Sequence, residues 1–268
     1  RGFSAGQFDG YYGADVAFHE IATKSGRYKE FDPAAGNELL QSFWSFTLEN
    51  GLGISAAKTA QYTQWRDLRG KSVFTGPAPW DTRAALERAM QALDVGHDYV
   101  ELDTGLAGSA LQEGQIEAFV VYTTGESSPA SWVTEAMLST EVAVLNPSDE
   151  EIAELRAAGI EVVRIPGSAF GSDVGVEEAV LVPLFYGFHV GLNVPPDDVY
   201  RMLTLIEENA KELAEVDAGF RQLAAGMIEL QRRGIEASPA SIRIHPGLAR
   251  FMRERDAWED AWDDRVAG

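Results

Sequence analysis

The hydrophobic positions of residues 71–165 follow two alternating periods. Short apolar runs such as Ser72–Thr75 and Ile116–Tyr122 have the composition of buried strands. Between them, apolar residues recur every three or four positions, as on one face of an amphipathic helix. The pattern predicts strands at 72–75, 116–122, 142–145 and 160–165, with helices at about 82–93, 106–114, 129–138 and 148–159. This alternation predicts an α/β fold with helices on both faces of a mostly parallel sheet.

The segments on either side of this region predict a separate, discontinuous lobe. Residues 179–192 form an extended segment, broken at Pro183, that is long enough to cross between lobes. The remaining predictions are helices from about 196, at 218–232 and after His245, a weak helix at 12–23, an extended segment at 42–54 with a turn at Asn50-Gly51, and a linker at 57–69. We therefore expect an outer lobe of residues 1–70 and 182–268 and a second lobe of residues 71–181.

Composition and charge narrow the class of protein. The 268 residues include 42 acidic and 22 basic side chains, a formal net charge of -20, so nucleic acid is a poor partner. The chain has no cysteine, which excludes disulfides and thiolate metal sites, and no apolar run approaches the ~20 residues that span a bilayer. The chain opens at Arg1-Gly2-Phe3 with sequence typical of the middle of a domain, so we expect further residues upstream. The missing signal peptide is compatible with export.

The segment Thr75–Arg83 is the first candidate for ligand binding. It leaves a predicted strand, turns at Gly76-Pro77 and enters a helix. The amino terminus of a helix presents unpaired N–H groups and a partial positive charge to a carboxylate or phosphate. A purely structural interpretation stays open, in which Asp81 caps the helix and Trp80 packs on the sheet edge.

The segment Tyr122–Pro129 is the second candidate. It follows the carboxyl end of a buried strand and leads into a helix, which is where open α/β sheets bind ligands. An ordinary connecting loop would show the same pattern.

No motif predicts catalysis or metal binding. The histidines at positions 19, 97, 189 and 245 lack metal-ligand spacing, and the chain has no G-x-S-x-G, H-E-x-x-H or phosphate-binding-loop motif. Paired acids such as Glu101 and Asp103 are typical of a solvated face. We therefore expect no enzymatic activity, no metal and no cofactor.

A series of motifs along residues 10–255 resembles one known family. The motifs are Trp65–Val73 (D-L-x-G-K-x-V), Ala110–Phe119 (L-x-x-G-x-I-D-A-F), Tyr122–Trp132 (G-x-x-x-P-A), Val182–Phe185, Val194–Tyr200 (L-P-E-D-x-V-Y) and His245–Gly247 (H-P-G-A). In this order and spacing they resemble the solute-binding subunits of the TAXI group of tripartite ATP-independent periplasmic (TRAP) transporters.

The resemblance implies a two-lobed periplasmic-binding-protein architecture, the Venus flytrap, whose cleft closes on a small carboxylate-bearing solute such as glutamate. It implies an exported, periplasmic receptor that hands the solute to an integral-membrane TRAP transporter subunit. We expect the receptor to be a monomer.

We expect both lobes to contribute to the solute site. Arg83 would pair with a ligand carboxylate, Thr82 and Thr123 would donate hydrogen bonds, and aromatic side chains would exclude water. The full predicted set is Tyr12, Trp44, Trp80, Asp81, Thr82, Arg83, Tyr122, Thr123 and Phe185. The family has small residues of Ser-Gly-Thr type where this chain has Trp80-Asp81-Thr82. The charge of Asp81 would oppose an anion unless Arg83 compensates it or Asp81 turns away as a cap.

Two alternatives remain open. The first is a binding protein of another transporter class with the same architecture, such as an ABC-type receptor for sulfonates or pyrimidine precursors. The second is an enzyme on a two-lobed α/β scaffold.

Overall fold

A computed structural model describes residues 1–34 and 38–268. Within these residues the strands are β1 Gly10–Ala14, β2 Leu40–Ser55, β3 Ser72–Phe74, β4 Asp98–Tyr99, β5 Ala118–Thr124, β6 Ser128–Pro129, β7 Val142–Leu145, β8 Val163–Pro166 and β9 Glu178–Val190. The α-helices are α1 Asp15–Thr23, α2 Asp81–Ala92, α3 Ala107–Gln112, α4 Ser131–Ser139, α5 Asp149–Ala157, α6 Pro196–Glu208, α7 Ala210–Val216, α8 Arg221–Ala237 and α9 Pro246–Arg253.

The chain divides into two compact units. Unit 1 contains Arg1–Phe46 and Phe185–Gly268, and unit 2 contains Thr47–Leu184. The chain passes from one unit to the other within β2 and again within β9.

The α/β class predicted from the sequence is confirmed, but the sheet is mixed rather than mostly parallel. Strand β3 pairs in parallel with β4 and β5, whereas β5 pairs antiparallel with β2 and β6, and β9 pairs antiparallel with β1 and β8. Local alternation of strands and helices predicts only the parallel part. The long strands β2 and β9 pair through contacts distant in sequence, which the local pattern does not specify.

Strand β5 is buried on both faces, which explains why its sequence is almost continuously apolar. Ala118 and Val120 pack in one hydrophobic layer of unit 2 with Leu86 of α2. Phe119 packs in a second layer with Val133 of α4. Because successive side chains of a strand point to opposite faces, a strand that is buried on both faces needs apolar residues at every position.

Residues 57–69, predicted as a linker, instead contribute to the core of unit 2. Trp65 and Leu68 are fully buried. The buried carboxylate of Glu151 accepts hydrogen bonds from the backbone N–H of Trp65 at 3.2 Å and from its own helix start. These contacts place residues 47–70 in unit 2, whereas the sequence pattern assigned them to the outer lobe.

Two predicted interruptions of strands are wrong. Strand β2 continues through Asn50 and Gly51, where the Asn50 side chain donates to the Val182 carbonyl at 3.2 Å. Leu181 packs over Gly51, where a Cβ would lie 2.4 Å from Leu181 Cδ2 and would displace that methyl group. Strand β9 continues through Pro183, whose fixed φ lies within the β region.

Unit 1 packs its helices against the unit-1 parts of β2 and β9, with β9 between β1 and β2 in strand order. Trp44 is fully buried in this core. Its backbone N–H donates to Gln231 Oε1 at 2.8 Å, and its carbonyl accepts from Gln231 Nε2 at 2.7 Å. The indole lies against Gly234, where a Cβ would come within 2.3 Å of Trp44 Cδ1.

None of the helices in the described part of the chain combines the length and hydrophobicity that crossing a lipid bilayer requires.

Candidate functional site

Four of the predicted site residues lie where the turn after β3 meets the start of α2, and residues 75–83 are called the β3–α2 turn below. Helix α2 begins at Asp81, and Trp80 is the N-cap residue, extended and without a side-chain cap bond. Asp81 is therefore not the cap and lies in the first helical turn. Because the first turn of a helix leaves its N–H groups without intrahelical partners, this turn can bind an anionic group. The carboxylate of Asp81 limits how much negative charge the turn accepts.

Thr82 supplies the polar side chain of this turn that lacks a partner. The residue is 4% exposed, and within the described part of the chain its Oγ1 has no hydrogen-bond partner. A Cβ on Gly76 would lie 3.7 Å from that oxygen, so the hydroxyl lies beside the turn that follows β3. Leaving a buried hydroxyl unpaired costs about 1–3 kcal/mol, and an acceptor on a bound ligand would remove that cost.

Trp132 connects the two segments that the sequence singled out in unit 2. Its ring centroid lies 6.5 Å from that of Trp80 and 5.9 Å from that of Tyr122. Its Nε1 donates to Tyr122 Oη at 3.1 Å. All three side chains are partly buried, so they form an apolar surface with polar edges. The predicted set omitted Trp132, although its position in the first turn of α4, directly after the candidate loop, could have indicated it.

Arg83 is held by its neighbours. Its Cζ lies 3.5 Å from the ring centroid of Tyr99, a cation–π contact, and its Nε lies 3.7 Å from Glu87 Oε1. Tyr99 Oη lies 3.0 Å from the Gly76 carbonyl oxygen, and burial together with the hydrogen bond that Tyr99 donates to Glu101 raises its pKa to about 12. The positive charge of Arg83 is therefore close to the β3–α2 turn but is partly balanced by Glu87.

Glu87 also interacts with two other side chains near the β3–α2 turn, those of Thr75 and His97. The Thr75 hydroxyl donates to Glu87 Oε1 at 2.5 Å, and His97 Nε2 lies 3.3 Å from the same oxygen. Burial raises the pKa of Glu87, but His97, Thr75 and the charge of Arg83 outweigh burial and lower the pKa overall. An ionised Glu87 thus keeps Arg83 in place along α2.

Thr123 is fully buried and its hydroxyl is already bonded. It donates to Glu49 Oε2 at 2.6 Å, and the same oxygen accepts from the backbone N–H of Glu126 at 2.9 Å. The Thr47 hydroxyl donates to the other carboxylate oxygen. Burial raises the pKa of Glu49 to about 7 despite these hydrogen bonds. The Thr123 hydroxyl therefore bonds within the protein, to the carboxylate that also holds the loop after β5. The sequence pattern did not indicate Glu49.

Tyr12 lies in a separate aromatic cluster of unit 1. It is 46% exposed, its Oη is 2.8 Å from Ser45 Oγ, and its ring centroid is 5.4 Å from that of Tyr186. Phe46 stacks on Tyr186 with centroids 5.7 Å apart and packs edge-on against Phe220. Burial raises the pKa of Tyr12. Of the predicted residues in unit 1, Tyr12 alone presents a large exposed surface.

Trp44 and Phe185 occupy the core of unit 1. They are 0% and 1% exposed, and their ring centroids are 6.2 Å apart. Their hydrophobicity reflects packing, because both rings belong to the hydrophobic core of unit 1. Within residues 1–34 and 38–268, no three acidic or histidine side chains gather closely enough to hold a metal ion.

The profile of the NMT1-like family matches residues 17–255. The chain belongs to the NMT1-like family. No curated protein matches this family member.

Several solved structures are similar to this NMT1-like protein. A Bordetella bronchiseptica protein is 14% identical, with a TM-score of 0.43, over 99% of this chain and 78% of its own. The periplasmic aliphatic sulphonate binding protein SsuA of Escherichia coli is 14% identical, with a TM-score of 0.39, over 94% of this chain and 67% of its own. A Brucella ovis periplasmic binding protein with glutathione bound is 12% identical, with a TM-score of 0.38, over 83% of this chain and 58% of its own. What these proteins bind is a property of those proteins alone.

The TAXI subgroup, which the motifs resemble, is not confirmed for this NMT1-like protein.

Proposed function

We propose that this NMT1-like protein is an exported solute-binding protein, without catalytic activity, that binds a small organic acid at the β3–α2 turn of unit 2. The acid group would accept hydrogen bonds from the N–H groups of the first turn of α2 and from the Thr82 hydroxyl. Trp80 and Trp132 would pack against the apolar part of the solute. Delivery to an ABC-type transporter is the proposed role in the cell.

The observation that carries this proposal is the unpartnered Thr82 hydroxyl beside a helix start. A buried hydroxyl without a partner is uncommon and costly, and here it adjoins N–H groups that favour an anion. Arg83 contributes positive charge from its place on the Tyr99 ring. This modifies the sequence prediction, in which Arg83 pairs directly with a carboxylate.

The other predicted residues take different parts in the proposal. Tyr122 orients Trp132 through their hydrogen bond, and Thr123 holds the loop. Trp44 and Phe185 are left out because they are core residues. A contribution of the outer lobe through Tyr12, in an interlobar cleft, stays a prediction from the sequence.

Replacing Thr82 by valine tests the proposal, because valine keeps the shape of threonine and removes the hydroxyl. Isothermal titration calorimetry would measure the binding of methanesulfonate, propionate, benzoate, L-glutamate and glutathione. In a separate experiment, each solute would be incubated with the protein and followed by NMR to detect turnover. We expect at least one solute to bind without turnover, and Thr82→Val to weaken it about tenfold or more, since a hydrogen bond to a charged group contributes about 1.5–3 kcal/mol.

Thr204→Val is the matched control. Thr204 lies on α6 in unit 1, and its hydroxyl donates to the Tyr200 carbonyl at 3.0 Å. This variant should bind the solute as the unaltered protein does. Equal weakening by both variants, or an unchanged affinity in Thr82→Val, would exclude the β3–α2 turn as the site. Turnover of a solute would favour the enzyme alternative.

A further inference from the structure

Glu49 is a fully buried carboxyl group that the proposed binding chemistry does not use. Three donors surround it, namely the hydroxyls of Thr47 and Thr123 and the backbone N–H of Glu126. An ionised carboxylate only accepts hydrogen bonds, so all three donors suit the ionised form. A protonated carboxyl must donate one hydrogen bond, and only a hydroxyl can accept it. Protonation therefore requires Thr47 or Thr123 to rotate its hydroxyl and give up a bond.

The carboxyl holds the loop that follows β5 against β2. Besides the bonds from Thr123 and Glu126, the backbone N–H of Gly125 donates to the Thr47 carbonyl at 2.8 Å. Glu126 has a φ of 59°, a left-handed conformation that is unfavourable for a residue with a side chain. The bond from its N–H to Glu49 stabilises that conformation. The shape of the loop therefore depends on the Glu49 side chain.

The end of β5 that leads into this loop carries one of the aromatic residues of the candidate site. Tyr122 directly precedes Thr123 on β5 and accepts the hydrogen bond of Trp132 Nε1. The register pairs Thr123 with Glu49 and Tyr122 with Asn50 across the two strands. A change in the bonds of Thr123 is thus one residue away from the tyrosine that orients Trp132.

We propose that Glu49 is a positioning residue, which fixes the end of β5 and the loop after it (residues 122–126) and, through its protonation state, sets the position of the Tyr122–Trp132 pair. The coupling exists without any solute. Its consequence for binding, a solute affinity that depends on pH, rests on the proposed function.

The charges around Glu49 place its titration near neutral pH. Burial raises its pKa to about 7, and the negative charge of Glu126 adds to that increase. Thr47 on β2, Thr123 on β5 and Asn50, which bonds to β9, are neutral. The pKa of Tyr122 is raised by burial, so Tyr122 stays protonated in this range. His97 interacts with Glu87 rather than with Glu49.

The test follows Trp132 directly in the full chain without a ligand. The protein would be labelled with 5-fluorotryptophan, and the ¹⁹F resonance of Trp132 would be assigned with a Trp132→Phe variant. We expect this resonance to shift between pH 5 and pH 8.5 with a midpoint near 7, and the shift to disappear in Glu49→Gln. His97→Asn is the control and should retain the midpoint, because His97 contacts Glu87 and not Glu49.

A second variant keeps the test informative if Glu49→Gln does not fold. Thr123→Val removes one hydrogen bond to the ionised carboxylate, so the midpoint should rise by about one pH unit. A titration of Trp132 that persists unchanged in Glu49→Gln or Thr123→Val overturns the inference, as does the absence of any titration in the unaltered protein. Loss of the Trp132 titration in Glu49→Gln supports the inference about Glu49, whatever Thr82→Val does to solute binding. Unchanged solute binding in Thr82→Val counts against the proposed function alone.

Discussion

Replacing Glu49 by glutamine should change how the stability of unit 2 depends on pH. Burial raises the pKa of Glu49 from 4.5 to about 7 in the folded protein. The folded state therefore holds the proton more tightly than the unfolded state between these values. The resulting stabilisation is complete below pH 4.5 and is lost as the pH rises through 7. A difference of about 2.5 pKa units corresponds to about 3 kcal/mol of unfolding free energy.

Glutamine resembles the protonated carboxyl in shape and hydrogen bonding. Its amide oxygen can accept from Thr123 and from the Glu126 N–H, and its amide nitrogen can donate to the Thr47 hydroxyl. The variant cannot ionise at this position. Relative to the unaltered protein, we expect the unfolding free energy of Glu49→Gln to increase by about 3 kcal/mol between pH 4.5 and pH 8.

Urea unfolding at constant salt, followed by tryptophan fluorescence at intervals across this range, measures the difference. Comparing the two proteins at each pH cancels groups that both contain. One such group is His189 of unit 1, whose burial lowers its pKa to about 3 and makes stability fall as the pH falls below 6.5. That slope has the opposite sign and would obscure the effect of Glu49 in a single profile.

Glu113→Gln is the control, because Glu113 is exposed and is bonded only to a neighbouring glutamine in the described contacts. Its profile should follow that of the unaltered protein. If the profiles of Glu49→Gln and the unaltered protein are parallel from pH 4.5 to pH 8, Glu49 does not titrate in this window and the reasoning from its burial fails.

Two further predictions concern packing and capping, and both are measured by urea unfolding at pH 7. Gly234→Ala should lower the unfolding free energy by about 1–3 kcal/mol, because the new Cβ would lie 2.3 Å from the buried ring of Trp44. Unchanged or higher stability of this variant would contradict the prediction. Glu151→Ala should cost about 2–4 kcal/mol, because the fully buried carboxylate accepts hydrogen bonds from three backbone N–H groups, and a loss below about 1 kcal/mol would contradict it.

The parts of the fold that the sequence predicted are those with local causes. Helix α5, predicted at 148–159, is an example, since Ser148 and Glu151 form a capping box at its start. Helix α2 is another, because its apolar residues recur on one face and a proline-rich turn precedes it. Both signals lie within a few residues of the element that they predict.

The parts that the sequence did not predict depend on contacts between distant residues. The Asn50-Gly51 pair has the composition of a turn, but its place beside β9 keeps it in a strand. The bond between Thr123 and Glu49 joins residues 74 positions apart, so it depends on the strand register. Trp44 was assigned to a binding site because an aromatic side chain has the same sequence signature in a core and in a pocket.

The charges around the β3–α2 turn bear on which acid the proposed site accepts. The helix start contributes a partial positive charge, but Asp81 adds a full negative charge in the same turn. The cation of Arg83 lies between the Tyr99 ring and Glu87, which balances part of it. A second carboxylate on the solute would be repelled by Asp81. The charge of Arg83 would offset little of this repulsion, because Glu87 already balances part of it.

A solute with one negative charge and an apolar or aromatic body is therefore a better match for this turn than a dicarboxylate. Its acid group would satisfy the Thr82 hydroxyl, and its body would lie against Trp80 and Trp132. The glutamate-like acid expected from the sequence is therefore a poorer match for these charges. In the calorimetric panel, benzoate and methanesulfonate should bind more tightly than L-glutamate, and the reverse order would mean that Arg83 leaves Tyr99 to pair with the solute.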